Sequence, residues 1–320
     1  MLSSRISGCL WGAVIGDALG VPVEFEPRSK READPVREMR GFGTHRQPPG
    51  TWSDDSSLLL TTVESLLAFK SLDPRNLGER FVKWAHYGNW SPHGQAFDIG
   101  TTTRSAIERI AEGTPAHQAG ARDEQSNGNG SLMRIAPIAL AFWSEAPQLV
   151  IESASLASSL THRHPRSRAA CAWFCLLLRE LLTGQASLPQ ALLDTRMAFL
   201  QHAPSELKAE YDHFQRLRDP EALTNLPQDQ VQSTGYVLSS LEAALWCALR
   251  ASDYTEAVLL AVNLGDDTDT TACIAGALAG CLHGIDTIPN RWSKPIARRR
   301  DVGQLIERAA ATWDRPAGAA

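Results

Sequence analysis

The stretch "LGDDTDTTACIAGALAG", residues 264–280, changes character within a few residues. Asp266, Asp267 and Asp269 crowd its first half, and small apolar residues fill its second. The second half predicts a helix opening near Thr270. Its glycines cost helix propensity but let a neighbouring backbone come close, so this helix is expected to be central and tightly packed, with an acidic loop at its N-terminus. Carboxylates held this near one another repel and retain protons unless a cation compensates them. Asp267 and Asp269 would point about 200° apart on a continuous helix, so they reach one ion only where the loop is not yet helical.

Working outward, helical spacing dominates. Leu59, Val63, Leu66 and Leu67 fall on one face of "SSLLLTTVESLLAFK", and Val237, Leu241, Ala244, Leu245 and Ala248 on one face of "GYVLSSLEAALWCALR". "AACAWFCLLLRELL" (169–182) is apolar almost all round and predicts a helix inside the core. No alternating β-branched run gives a confident strand, so the expected fold is all-α. Loops are expected at 41–52, 113–130 and 218–233, where turn residues gather. No linker or repeat divides the chain, which predicts a single domain over 1–312 and a frayed tail at 313–320.

Composition limits the function. At 320 residues, 43% hydrophobic and 21% charged, the chain has the makeup of a soluble globular protein. A net charge of −5 argues against a general nucleic-acid or membrane surface. The basic runs "HRHPRSR" (162–168) and "ARRRD" (297–301) are short and read as solvated faces. Six cysteines among apolar residues read as buried thiols in a reducing cytoplasm rather than as disulfides or zinc ligands. Asp17 interrupts the apolar N-terminus, which therefore reads as a buried helix and not as a signal peptide. No stretch reads as a membrane span.

A second acidic helix start lies far upstream in "GTWSDDSSLLL". Ser53 is a good N-cap, and carboxylates in a first helical turn interact favourably with the helix dipole, so capping accounts for part of this pattern. The two starts together supply four aspartates, Asp54, Asp55, Asp267 and Asp269, and the hydroxyls of Ser53 and Thr270. That oxygen-only set suits two hard divalent cations, Mg²⁺ or Mn²⁺, and disfavours zinc. "DTDTT" also fits the Asp-x-Asp-x-Thr pattern of aspartyl-phosphate phosphohydrolases, but that chemistry needs a preceding strand and a doubly wound sheet. A calcium EF-hand lacks its Gly and Glu here.

The motifs "GAVIGDALGVPVEF", "GTWSDDSS", "FDIGTTT", "SNGNGSLMR", "THRHP", "STGYVLSSLEAALW" and "NLGDDTDTTACIAGALAG" follow one another in the order found in the ADP-ribosylglycohydrolases. The chain resembles that family over residues 7–292. The resemblance implies an orthogonal all-α bundle with a dinuclear Mg²⁺ or Mn²⁺ centre, Ser53, Asp54 and Asp55 supplying one ligand group and Asp267, Asp269 and Thr270 the other. Asp266 often corresponds to Gly in relatives and is left out of the ligand set. "SNGNGS" reads by itself as consecutive turns; the family loop cradles a diphosphate, which assigns Ser126, Gly128, Asn129 and Gly130 to the phosphate or ribose side. Gly100 belongs to the same substrate surface. Asp98 either caps the helix starting near Thr102 or, by resemblance, stands near the scissile ribose. His162 is a polar core residue or a ligand contact. Tyr236 is helix packing or flanks the leaving group, and Glu24 resembles the family glutamate at the mouth of the metal site.

The implied reaction is metal-dependent hydrolysis of an N-glycosidic bond. Water attacks the anomeric carbon, ADP-ribose is released and arginine restored, and Glu24, Asp98 or Asp55 manages the proton of the leaving guanidine. The expected substrate is an ADP-ribosylated protein or small molecule, ADP-ribosylarginine above all. Other linkages (serine, O-acetyl-ADP-ribose, a nucleic-acid base) are alternatives, as is a non-catalytic relative that only binds ADP-ribose. Retention of all six ligand positions speaks against the last.

Overall fold

A computed structural model describes residues 2–69, 71–183 and 186–315. Among them there is no strand, and the fold is all-helical. The α-helices of nine or more residues are α1 (Leu2–Gly20), α2 (Asp54–Phe69), α3 (Pro74–Tyr87), α4 (Thr101–Ala111), α5 (Pro147–Ser159), α6 (Pro165–Thr183), α7 (Leu188–His202), α8 (Val237–Arg250), α9 (Tyr254–Val262), α10 (Thr268–His283) and α11 (Arg299–Trp313).

The expected apolar faces are where packing occurs. Leu59, Val63 and Leu66 of α2 are buried, as are all five stripe residues of α8. The core helix read at 169–182 is the interior of α6, with Trp173, Phe174 and the run Leu176–Leu178 removed from solvent. Burying side chains of this size contributes roughly 1.5–3 kcal/mol each, which outweighs the weak helix propensity of Trp, Phe and Cys in this segment.

At the centre, α1 and α10 cross backbone against backbone. A Cβ added at Gly12 would stand 2.2 Å from the Gly276 carbonyl oxygen, and one added at Gly276 would stand 2.2 Å from that of Gly12. Nothing larger than hydrogen fits at that crossing. The same closeness reaches the ends of both helices: at Gly20 an added Cβ would lie 2.3 Å from Asp269 Cα, and Thr268 Oγ1 donates to the Gly20 carbonyl at 2.9 Å. The C-terminus of α1 thus fixes the acidic start of α10.

Several boundaries differ from expectation. Helix α10 opens at Thr268, two residues before Thr270, because Asp267 serves as its N-cap position. The stretches 113–130 and 218–233 contain short helices, Ala116–Ala119 and Pro220–Thr224. Trp313, expected to begin the tail, is buried in the last turn of α11, and its carbonyl accepts Trp143 Nε1–H at 2.8 Å. Residues 316–320 lie outside the described residues. Leu2–Val23 is, by length and composition, apolar enough to cross a membrane, contrary to the sequence reading; most of it is buried in the core. All six cysteines are free and buried. The run 162–168 is not a solvated face, since His162 and Arg166 are buried; Arg166 pairs with Glu124 and, at 2.9 Å, with Glu210.

Candidate metal centre

Asp17 organises the first half of the site. It lies on α1, fully buried, and its carboxylate accepts the backbone N–H of Ser53 at 2.9 Å and that of Ser56 at 3.0 Å, with the Ser56 hydroxyl donating as well. These are among the orphan donors of the first turn of α2, which Asp17 caps from outside. Asp54 and Asp55 are thereby relieved of capping. Asp55 Oδ2 accepts the Ser53 hydroxyl at 3.0 Å and that of Thr270 at 3.3 Å, whereas Asp55 Oδ1 is buried without a partner.

The second half approaches from α10. Asp267 stands just outside the helix (φ −87, ψ 77) and Asp269 in its first turn, so their side chains escape the divergence a continuous helix would impose. One ligand oxygen from each, together with one from Glu24, lies within 4.8 Å of the others. Asp267 Oδ1 and Asp269 Oδ2 are also buried and unpartnered. Asp266 turns away. It adopts φ +58, a left-handed conformation that favours Gly, while its carbonyl accepts the Phe25 N–H at 2.7 Å.

Glu24 connects this centre to a second group. His45 Nε2 contacts Glu24 Oε2 and lies 3.9 Å from Asp98 Oδ2; Glu24, His45 and Asp98 also bring ligand atoms within 4.8 Å of one another. Asp98 caps nothing, since the N-cap of α4 is Gly100, and Asp98 itself sits at φ +58. Sequence reasoning missed His45 and the capping role of Asp17. Asp17 carried a signal, a lone carboxylate in an apolar helix. His45 carried none, being one polar residue in a turn-rich loop.

Burial and mutual repulsion raise the acids. Desolvation and then the charges of Asp98, Asp267 and Asp55 push Glu24 up to about 11. Asp54, Asp55 and Asp269 are raised well above the ordinary carboxylate range, first by burial and then by a neighbouring carboxylate, Asp55 for Asp54, Asp17 for Asp55 and Glu24 for Asp269, and burial raises Asp98 and Asp267 too. Partnerless buried oxygens and raised acids in an oxygen-donor set fit divalent cations of the Mg²⁺ or Mn²⁺ kind, which would supply the missing charge.

The 126–130 loop adjoins this cluster. Asn129 Nδ2 donates to Asp267 Oδ2 and to Ser240 Oγ, both at 2.8 Å, so its amide hydrogens orient the cluster rather than being available to a ligand. Its backbone N–H is used on the Gly235 carbonyl, and the Ser126 hydroxyl on Asp123. Among the described residues, the N–H groups of Gly128 and Gly130 donate no hydrogen bond. His162 supports the loop from below: a Cβ at Gly130 would lie 2.9 Å from its Cε1. Burial, then the Arg134 charge, lowers His162 to about 3, so the ring is neutral. Tyr236 is 36% exposed at the N-cap of α8, and its hydroxyl receives Arg166 Nη1–H at 3.4 Å. Gly100 has open space where a Cβ would stand.

Comparison with known proteins gives the family. The family model ADP-ribosylglycohydrolase matches residues 1–318. The chain is 32% identical over 304 residues to the ADP-ribosylarginine hydrolase Tri1 of Serratia proteamaculans (strain 568), covering 95% of this chain and 78% of that one. It is 30% identical over 309 residues to the ADP-ribosyl-[dinitrogen reductase] glycohydrolase of Rhodospirillum rubrum, covering 95% and 94%. A solved structure titled ADP-ribosylglycohydrolase-related protein complex superposes with a TM-score of 0.78 at 34% identity, covering 98% of this chain and 99% of that one. The chain belongs to the ADP-ribosylglycohydrolase family.

Proposed function

We propose that the protein hydrolyses the N-glycosidic bond of ADP-ribosylarginine on a target protein, releasing ADP-ribose and restoring the arginine. The observation that carries this reading is the convergence of two acidic helix starts, 215 residues apart at Thr270 and Asp55, into one buried cluster with unpartnered oxygens. The arginine linkage is supported by the Tri1 relatives, named ADP-ribosylarginine hydrolases, at 32% identity.

Asp54, Asp55, Asp267 and Asp269, with the hydroxyls of Ser53 and Thr270, would hold two Mg²⁺ or Mn²⁺ ions. Bound there, such ions supply Lewis acidity and lower the pKa of coordinated water. The chain's own residues do the rest. Gly128 and Gly130 offer backbone N–H groups to the diphosphate, above the neutral His162. Asn129 holds Asp267 in place, and Tyr236 and Gly100 line the substrate side. Carboxylate charge around the ribose favours the oxocarbenium character of the transition state. Glu24, at the edge of the acidic cluster with Asp98 beside it, is our choice of proton donor to the leaving guanidine. The buried thiols suit a reducing cytoplasm.

The test is release of free ADP-ribose from an ADP-ribosylarginine protein in Mg²⁺ or Mn²⁺. Asp267→Asn should abolish it in a protein that retains its helical circular-dichroism spectrum. Unchanged turnover by that variant removes the assignment.

A further inference from the structure

Phe25 combines two unfavourable features, a left-handed backbone and an exposed ring. Its backbone sits at φ +61, a conformation rare for a bulky residue and one that costs on the order of 1–3 kcal/mol. Its ring is 65% exposed. The conformation is enforced from both sides: the Phe25 N–H donates to the Asp266 carbonyl at 2.7 Å, and the Asp266 N–H donates to the Glu26 carbonyl at 2.8 Å. The ligand-bearing loop therefore clamps the chain at Phe25 and turns the ring outward.

The ring's surroundings indicate what it faces. It lies 6.0 Å from the His45 ring, which in turn lies 5.5 Å from Phe97, giving an aromatic row next to the carboxylates of Glu24 and Asp98. The row is on the Glu24 flank of the acidic cluster. The 126–130 loop is tied to Asp267 through Asn129. With the diphosphate on that loop and Glu24 as donor to the leaving guanidine, the guanidinium meets the row that His45 joins to Glu24. A planar cation meeting ring faces beside carboxylates is the arrangement that favours guanidinium.

We propose that Phe25 is a specificity-determining residue that packs against the guanidinium of the ADP-ribosylated arginine. This rests on the arginine-hydrolase reading above. Its strained, exposed setting is retained for substrate contact and not for stability.

The experiment compares wild type, Phe25→Gly and Phe25→Tyr, reading thermal unfolding, KM and kcat on ADP-ribosylarginine, and inhibition by free ADP-ribose. Phe25→Gly relieves the backbone and exposes no core, so its unfolding temperature should equal or exceed that of wild type. Its KM should rise roughly five- to thirty-fold, the loss carried mainly by KM, while the inhibition constant for ADP-ribose stays within about twofold. Phe25→Tyr should restore KM. A wild-type KM in Phe25→Gly overturns the inference alone, and a parallel rise in the ADP-ribose constant places the ring on the nucleotide and overturns it too. A wild type that does not cleave ADP-ribosylarginine overturns the arginine reading and this inference with it.

Discussion

Thr270 donates its hydroxyl to Asp55 Oδ2 at 3.3 Å, joining the start of α10 to the start of α2. That contact is where two unremarkable acidic caps become one site. In sequence each half reads as a cap, whereas in the structure Asp17 caps α2 and the Asp267 side chain makes no cap hydrogen bond. Held together away from water, their carboxylates keep unpartnered oxygens on Asp55, Asp267 and Asp269, and the consequences can be measured.

The metal-free protein should lose stability as pH rises. Glu24 and the clustered aspartates have folded values above their unfolded ones, so the native state binds more protons than the unfolded chain between those values. This contribution is fully present below about pH 4 and is lost as pH climbs toward the folded values, up to about 11 for Glu24. Urea unfolding in EDTA from pH 5 to 9 should therefore show a falling midpoint. Saturating Mg²⁺ should flatten the trend, and calorimetry in buffers of different ionisation enthalpy should show protons released on binding.

Asp267→Asn should separate stability from function. Removing one negative charge relieves repulsion, so the EDTA-treated variant should unfold at the same or a higher urea concentration than wild type. Its stabilisation by Mn²⁺, which for one site reaches about 2.7 kcal/mol at a hundredfold excess over Kd, should be largely lost. A variant that is destabilised in EDTA but retains the Mn²⁺ increment would contradict the account.

Asp17→Ala should damage the site without touching a proposed ligand. The substitution strands the buried N–H groups of Ser53 and Ser56, at roughly 1–3 kcal/mol each. We expect a loss of about 2–4 kcal/mol in urea unfolding and weaker Mn²⁺ binding, with Asp17→Asn intermediate because an amide oxygen can still accept.

Gly276→Ala should be costly although it adds one methyl. The new Cβ would stand 2.2 Å from the Gly12 carbonyl oxygen, so α1 and α10 must separate. Overpacking of this kind costs typically 1–3 kcal/mol or more, readable as a lowered unfolding temperature. The nearby Ala277→Gly, which removes a methyl without opening the crossing, serves as the comparison.

The fold was legible where periodicity carried it. Stripes such as Leu59, Val63 and Leu66 predicted helices, and the small residues of 272–280 predicted a close crossing. The candidate ligand carboxylates stood out because two acidic starts are unusual together. Less accessible was anything set by tertiary geometry. That Asp17 caps a helix whose first residue is 37 positions later (54 minus 17) follows from how α1 meets α2. That His45 reaches Glu24 follows from a loop in which the Thr44 N–H and hydroxyl bond the Pro22 and Glu24 carbonyls. The basic run at 162–168 misled because a buried Arg paired with Glu124 and Glu210 reads, one-dimensionally, like a solvated one.

The most direct measurement is the number of Mn²⁺ ions bound per chain, by equilibrium dialysis followed by electron paramagnetic resonance. The account predicts about two ions in one spin-coupled centre, with occupancy falling in both Asp55→Asn and Asp267→Asn. A wild-type protein that binds no Mn²⁺ or Mg²⁺ at millimolar concentration, or one whose binding survives both substitutions, would contradict it.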